Sequence, residues 1–458
     1  MEPVANAFDW PLAYEAEEAL RAYLEAFRKR NPFARDLASR MRDETGTDFY
    51  EWVDHLTLEP THAAELRDAG LVRQEAEAPA GWEVFHHPDA MMPRVVIRPG
   101  GSHGGVPEKV AIKPESVADF VAGHDLSSEI QGRFGSRLRE AQVSEGGGTC
   151  LCAVERLAYH GFKIEDAEPE FAAAVHEVRE RWRTRKRDFA DDAEGVAHAF
   201  AVQRRAIARV GPDVACELFF AEERAFWELK NTAARVQKRR QDLLGLGWGN
   251  HDHHTFRCSR RFFSDLMRFL LNFGFRKRER YYAGAEAGWG AQISEHAATG
   301  ITVFADVDLL PDETRLDFST EALPEAPQLR TVGLWCGLHG DSFLQAGMHH
   351  LEARFDFSRL REQLAQSGIA TMKAFSNFEF LKQAFTEGET WKVKPVRVQR
   401  LLERGLITPA QAESFLTEGA VGSHLENLQR RGGFKGFNQK SVSAIIAATD
   451  PRALRPAH

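Results

Sequence analysis

Apolar residues recur at helical spacing through residues 13–45, as in Tyr14-Glu15-Ala16-Glu17-Glu18-Ala19-Leu20-Arg21-Ala22-Tyr23-Leu24. The same period returns over Phe262–Asn272, where Phe263, Leu266, Phe269 and Leu270 share one face. Between such stretches lie short runs of strand type: Trp82–Phe85, Arg94–Ile97, Lys109–Ile112, Gln292–Ser294, Ile301–Val307 and Thr331–Trp335. Pro88 and Pro93 confine the first two. Further helices are predicted around residues 117–123, at Phe380–Thr386 and at Val396–Arg404, and Thr408-Pro409 marks a capped helix start. Residues 150–243 read as almost wholly helical, and Gly146-Gly147-Gly148 punctuates the chain just before them.

Three segments share one design. A histidine near the start of a predicted strand is followed by a helix and then by a glycine with an apolar residue after it. They run from His55 to Gly70-Leu71, from His253 to Gly274-Phe275 and from His350 to Gly368-Ile369, with separations of 15, 21 and 18 residues. A repeated unit carrying a repeated histidine is one way to assemble a metal site between modules. The expected division is residues 1–149, helices plus a βαβββ-like module; 150–245, a helical linker or layer; and 246–458, paired βαβββ-like modules holding the site.

Bulk composition narrows the class. The chain has 458 residues, 43% hydrophobic and 28% charged, which suits globular domains with ample cores. A formal net charge of −8 argues against a dedicated nucleic-acid binder. The basic runs at Arg183–Arg187, Lys238–Arg240 and Arg276–Arg280 read as solvated faces. Five cysteines without paired spacing fit a reduced, cytoplasmic protein. The N-terminal sequence lacks the pattern of a signal peptide, and no apolar run is long enough to span a bilayer. No membrane partner is expected, and a homodimer is compatible with the reading. Gly100–Gly105 reads as a loop, not a phosphate cradle, because no strand-to-helix GxGxxG frame surrounds it.

Strand alternation sorts the candidate chemistry. His253, Thr255 and Arg257 would face one way and His254, Phe256 and Cys258 the other; His350, Glu352 and Arg354 would likewise share a face. A histidine and an arginine four apart lie about 13 Å apart at ~3.3 Å per residue. That separation suits a metal ligand at one end of a cavity and a carboxylate clamp at the other. A strand histidine is also a common hydrogen-bonded core residue, and His-x-x-x-Arg in two units is what favours the ligand reading.

These residues carry a resemblance. A βαβββ module with a histidine on its first strand, paired with a second such module, looks like the vicinal oxygen chelate superfamily. Residues from about 215 to 440 resemble the 2-oxoadipate dioxygenase/decarboxylase (hydroxyglutarate synthase) family, through Asp252-His253-x-x-Phe256-Arg257, Phe273-Gly274-Phe275-x-x-Arg278-Glu279 and His350-Leu351-x-x-Arg354. The resemblance implies an α+β fold of βαβββ modules forming a partly open barrel with extra helical segments. It also implies Fe(II), or another divalent metal, held by one histidine per module and a late glutamate, with O2 as co-substrate. His253 and His350 become metal ligands, and Arg257 and Arg354 become substrate or structural arginines. The third ligand points to Glu426 in Gly422–Gly432; Glu352 competes, as ligand or as catalytic base where the family usually has a small residue, and His424 is a further choice. The expected activity is oxidative decarboxylation of a 2-oxo acid or similar small carboxylate. Rival readings are a divalent-metal isomerase, lyase or hydrolase of the same superfamily, or a small-molecule binding protein without catalysis. The unit around His55 has Glu59 where the others have arginine, so it is a decayed or regulatory copy, or it supplies His55 or Glu140 to a site of its own. Tyr281–Gly290 could be a substrate loop or a hairpin with packed aromatics.

Overall fold

The computed structural model describes residues 10–99, 104–283, 288–438 and 449–452. The loop expected at Gly100–Gly105 and the loop at Tyr281–Gly290 therefore lie partly outside the described residues. The described strands are β1 (Val53–Leu58), β2 (Val72–Gln74), β3 (Glu83–His86), β4 (Arg94–Ile97), β5 (Lys109–Ile112), β6 (Ile130–Gln131), β7 (Leu138–Gly146) and β8 (Thr149–Arg156), then β9 (His251–Arg257), β10 (Arg276–Tyr282), β11 (Trp289–Glu295), β12 (Thr302–Asp308), β13 (His350–Arg354), β14 (Ser376–Asn377), β15 (Leu381–Phe385), β16 (Glu389–Trp391) and β17 (Ala420–Arg430).

They form two open sheets of matching order. The N-terminal sheet runs β2-β3-β4-β1-β5-β8-β7-β6, and the C-terminal sheet runs β10-β11-β12-β9-β13-β17-β15-β14, with β16 paired to β17. Within each sheet the first and last strands of a module pair in parallel: β1 with β4, β5 with β8, β9 with β12 and β13 with β17. Modules meet through antiparallel pairs, β1 with β5 and β9 with β13. The fold is thus α+β, built from four βαβββ modules, two per sheet.

All four modules end their helix in the same way. The amide of Leu71 donates to Leu66 O (2.9 Å), Leu126 to Val121 O (3.0 Å), Phe275 to Leu270 O (3.3 Å) and Ile369 to Leu364 O (2.9 Å). This is the six-to-one closure that needs a left-handed residue just before the apolar one. Gly70, Gly274 and Gly368 supply it at φ 88°, 103° and 75°, and in the second module Asp125 supplies it at φ 50°. The glycine in the sequence repeat is therefore a helix terminator. The helix Phe263–Phe273 buries Phe263, Leu266, Met267, Phe269, Leu270 and Phe273 in a core shared by the sheet and the neighbouring helices, each such side chain contributing about 1.5–3 kcal/mol.

Several local expectations change. Gly146–Gly148 is the tight turn between β7 and β8, and β8 crosses the expected boundary at residue 150; helix begins only at Pro169. The N-terminal sheet therefore holds two modules where one was expected. Helices Pro169–Arg183, Asp192–Val210 and Pro212–Glu228 form a layer, and Trp182, Phe219 and Phe220 from it join the core of the third module. Thr331–His339 is a helix, not a strand, because Asp308 caps it from a distant strand, accepting from the amides of Arg330 (2.8 Å) and Val332 (3.0 Å). Phe380–Thr386 is mostly strand β15, held between β14 and β17. Thr408 caps Pro409–Thr417 as expected, accepting from Gln411 N at 3.2 Å. No described helix is long and apolar enough to cross a membrane.

Candidate metal centre

Strand β9 lies beside both β12 and β13, so its residues sit at the middle of the C-terminal sheet. The register puts Glu352 opposite His253 and His350 opposite Thr255, while β17 brings Glu426 alongside Glu352. Pairing alone therefore gathers two imidazoles and two carboxylates from three strands. Donor atoms of His253, His350 and Glu426 all lie within 4.8 Å of one another, as do those of Asp252, His253 and Glu352. His253 Nε2 is 2.5 Å from Glu352 Oε2, and His350 Nε2 is 3.1 Å from Glu426 Oε2. Gln383 on β15 donates to Glu426 Oε1 (3.1 Å) and Glu352 Oε1 (3.4 Å), linking the two carboxylates. All four ligand candidates are buried.

Burial dominates the electrostatics of the site. Burial lowers the pKa of His253, and takes that of His350 down to about 3, so both imidazoles are neutral at physiological pH. Burial pushes Glu426 up to about 7, and burial with Glu426 beside it raises Glu352 well above the carboxylate range. Arg430 offsets this only in part. It binds Asp252 at 3.3 and 3.0 Å and stands 3.9 Å from Glu352. Burial opposes ionisation of Asp252, yet Arg430 holds its pKa low. Two neutral imidazoles and two crowded carboxylates are a donor set that a divalent cation fits, since it neutralises the carboxylates and uses the imidazole lone pairs.

The side chains of His253, Thr255 and Arg257 line one small cavity with His350, Glu352 and Glu426. Its volume is about 60 Å³, and Phe304, Phe385 and Phe437 form apolar walls. His254 and Phe256 point the other way, into the helical layer, where Arg224 and Phe220 meet His254. Arg257 is wholly buried. Its Nη2 donates to Thr449 at 3.0 Å, and its Nε and Nη1 have no hydrogen-bond partner among the described residues.

Arg354 does not reach this cavity. The antiparallel pairing of β9 and β13 sends Arg257 and Arg354 to opposite ends of the strand pair, and a register shift follows Glu352. Arg354 instead lines a separate cleft of about 560 Å³ between the two sheets and stands 3.4 Å from Glu51. His424 also lies off the site, with its Nδ1 against Thr386 O (2.9 Å) and its ring stacked on Phe385. His55 and Glu140 are far along the other sheet: His55 Nδ1 meets Asp54 (2.7 Å), and Glu140 accepts from Lys109 Nζ at 2.6 Å through both oxygens.

Sequence reasoning passed over Asp252, Arg430, Gln383 and His349 as site residues. His349 Nδ1 lies 2.9 Å from His350 Nδ1, which fixes the ligand ring from behind. A signal for the first two exists in the chain. Asp-His occurs at 54–55 and again at 252–253, and each aspartate finds an arginine at the end of the strand two places away in its sheet.

No family model matches the chain, and no curated protein matches it in sequence. Among solved structures it is similar to a protein provisionally described as a hydrolase from Shewanella frigidimarina NCIMB 400, at 14% identity and TM-score 0.32 over 46% of this chain and 91% of that one. A variant of 4-hydroxymandelate synthase from Streptomyces coelicolor matches at 15% identity and TM-score 0.28, over 88% of this chain and 98% of that one. Methylmalonyl-CoA epimerase from Mycobacterium tuberculosis matches at 10% identity and TM-score 0.22, over 40% and 88% respectively. At these scores the matches say nothing of this chain's reaction.

Proposed function

We propose that the protein is a non-haem Fe(II)-dependent dioxygenase that oxidatively decarboxylates a 2-oxo acid or a similar small carboxylate. The observation that carries this reading is the convergence of His253, His350 and Glu426 on one buried point from three adjacent strands. Two histidines and a carboxylate are the donor set of many oxygen-activating iron sites. When bound there, Fe(II) supplies open positions at which a 2-oxo acid chelates and O2 is activated.

The chain's own residues have separate tasks. Gln383 fixes the orientation of Glu426 through its amide, and His349 holds the ring of His350. Arg257, with two unpartnered donors among the described residues, grips the substrate carboxylate within the cavity. Phe304, Phe385 and Phe437 exclude water from the reacting end. The cavity is well below the ~300–1,000 Å³ of ordinary ligand pockets, so substrate entry displaces part of this aromatic wall.

One observation favours a second reading. Glu352 adds a carboxylate against His253, and its raised pKa suits a base that takes up a proton at neutral pH. A divalent-metal isomerase, lyase or hydrolase would use it so. The two readings separate by anaerobic Fe(II) loading followed by oxygen-electrode and CO2 measurements with a panel of 2-oxo acids. The dioxygenase consumes O2 and releases CO2 in equal amounts only when its substrate is present. Turnover without O2, with activity lost in Glu352→Gln, supports the second reading and contradicts the first.

A further inference from the structure

A second cavity among the described residues lies apart from the metal centre. It is the cleft of about 560 Å³ between the two sheets, a volume ordinary for a small-molecule site. Its walls come from equivalent places in the two sheets. Val53 pairs with Ile112 and His251 pairs with Ala353, so the next residues, Lys113 and Arg354, leave their strands at matching positions and both line the cleft. The turns that precede β4 and β12 line it too, through His86 to Arg94 and through Glu295 to Thr302.

Most of the charge in the cleft is already matched. Asp54 is bound by Arg156 at 2.7 Å, with Arg94 at 3.5 Å; Arg354 stands 3.4 Å from Glu51, and Arg224 stands 3.8 Å from Glu115. Glu295 is paired with Arg278 (2.6 Å), and Lys435 donates to Pro88 O (3.3 Å); two charged groups are left with neither a hydrogen bond nor an ion pair. The Lys113 ammonium and the Glu217 carboxylate, the latter from helix Pro212–Glu228, form no hydrogen bond or ion pair with any described residue. Neither touches the other, yet Glu217 is the carboxylate that most favours charge on Lys113, and Arg224 and then Lys113 favour charge on Glu217. Burial works against both, lowering the pKa of Lys113 and raising that of Glu217. Keeping two opposite charges without a hydrogen-bond partner in a part-buried cleft costs stability unless something satisfies both.

We propose that this cleft is a second binding site, for a small zwitterion whose carboxylate meets Lys113 and whose ammonium meets Glu217. An amino acid is the simplest ligand of that kind. The inference stands apart from the iron reading, because the cleft shares no lining residue with the metal cavity.

The test is isothermal titration calorimetry and thermal shift on the full chain. The probes are glycine, β-alanine and γ-aminobutyrate, which step the distance between the two charges, and a set of L-α-amino acids. At least one probe should bind and raise the melting temperature. Its N-acetyl and carboxamide forms, each lacking one charge, should bind at least about tenfold more weakly, as should the parent probe to Lys113→Gln and to Glu217→Gln. Both variants, without ligand, should melt no lower than the parent, which separates a lost binding contact from a damaged fold. The proposal is overturned if no probe binds, if the blocked forms bind as well as the zwitterion, or if both substitutions leave affinity unchanged. A clear fall in the unliganded melting temperature of either variant would also overturn it, by showing that the charge serves the fold.

Discussion

Position by position, β9, β13 and β17 present His253, His350 and Glu426 where β1, β5 and β8 present His55, Lys109 and Cys152. The registers fix these equivalences: Glu352 lies opposite His253 and beside Glu426, and Ala111 lies opposite His55 and beside Cys152. On the strand next to the edge of each sheet, Gln383 corresponds to Glu140, since each stands opposite the residue two beyond Glu426 or Cys152. What is shared between the sheets is equally informative. Arg156 binds Asp54 and sends Nη1 to Tyr159 O and Gly161 O; Arg430 binds Asp252 and sends Nη1 to Phe434 O and Gly436 O. The same aspartate–arginine pair ties the strand to the loop that follows it in both sheets. It belongs to the frame, whereas the ligand set belongs to one sheet. In the N-terminal sheet a lysine ammonium held by Glu140 takes the place where the other sheet gathers carboxylates and imidazoles, so a protein cation stands where a metal ion would fit.

The most drastic way to break this contrast is to erase it. Lys109→His, Cys152→Glu and Glu140→Gln together should rebuild the ligand set around His55. The expected outcome is two bound metal ions per chain instead of one, read by elemental analysis after Fe(II) or Zn(II) loading. A smaller effect separates frame from site. Asp54→Asn and Asp252→Asn each leave a buried arginine without its carboxylate, and each should cost about 3–5 kcal/mol in denaturant unfolding. Only Asp252→Asn should also weaken metal binding, by ~10–100-fold, because Asp252 orients the His253 ring. Equal metal affinities in the two variants would remove the distinction.

The smallest effect concerns protons. Burial takes the pKa of His55 down to about 4, from an ordinary value near 6.5. The unfolded chain therefore binds a proton there before the folded chain does. The associated stability is complete above pH 6.5 and falls as the pH drops toward 4, by up to about 1.4 kcal/mol per unit. His55→Gln should flatten the fall in urea-unfolding free energy across that window. An unchanged slope would mean that this imidazole is not held neutral in the folded state.

How far the sequence discloses this plan depends on how each module signals itself. Three of the four modules carry a strand histidine and a terminating glycine, and those are visible in the chain. The second module has Lys109 for the histidine and Asp125 for the glycine, so it is invisible to a search for the repeat although its backbone closes identically. His253, His350 and Glu426 could be named from strand alternation and resemblance, and the pairing registers bring them together. Arg354 could not be placed, because its destination depends on strand direction and a register shift, which are properties of the sheet and not of the segment. Thr331–Trp335 reads as strand from its apolar residues, and only the capping carboxylate of Asp308 makes it a helix.

One sheet should hold a metal ion and the other should not. Elemental analysis of Fe(II)-loaded protein tests this most directly, on the parent chain, on the His253→Ala/His350→Ala double variant and on His55→Ala. One ion per chain is expected in the parent and in His55→Ala, and none in the double variant. Metal kept by the double variant, or lost on replacing His55 alone in a chain that still folds, would contradict that expectation.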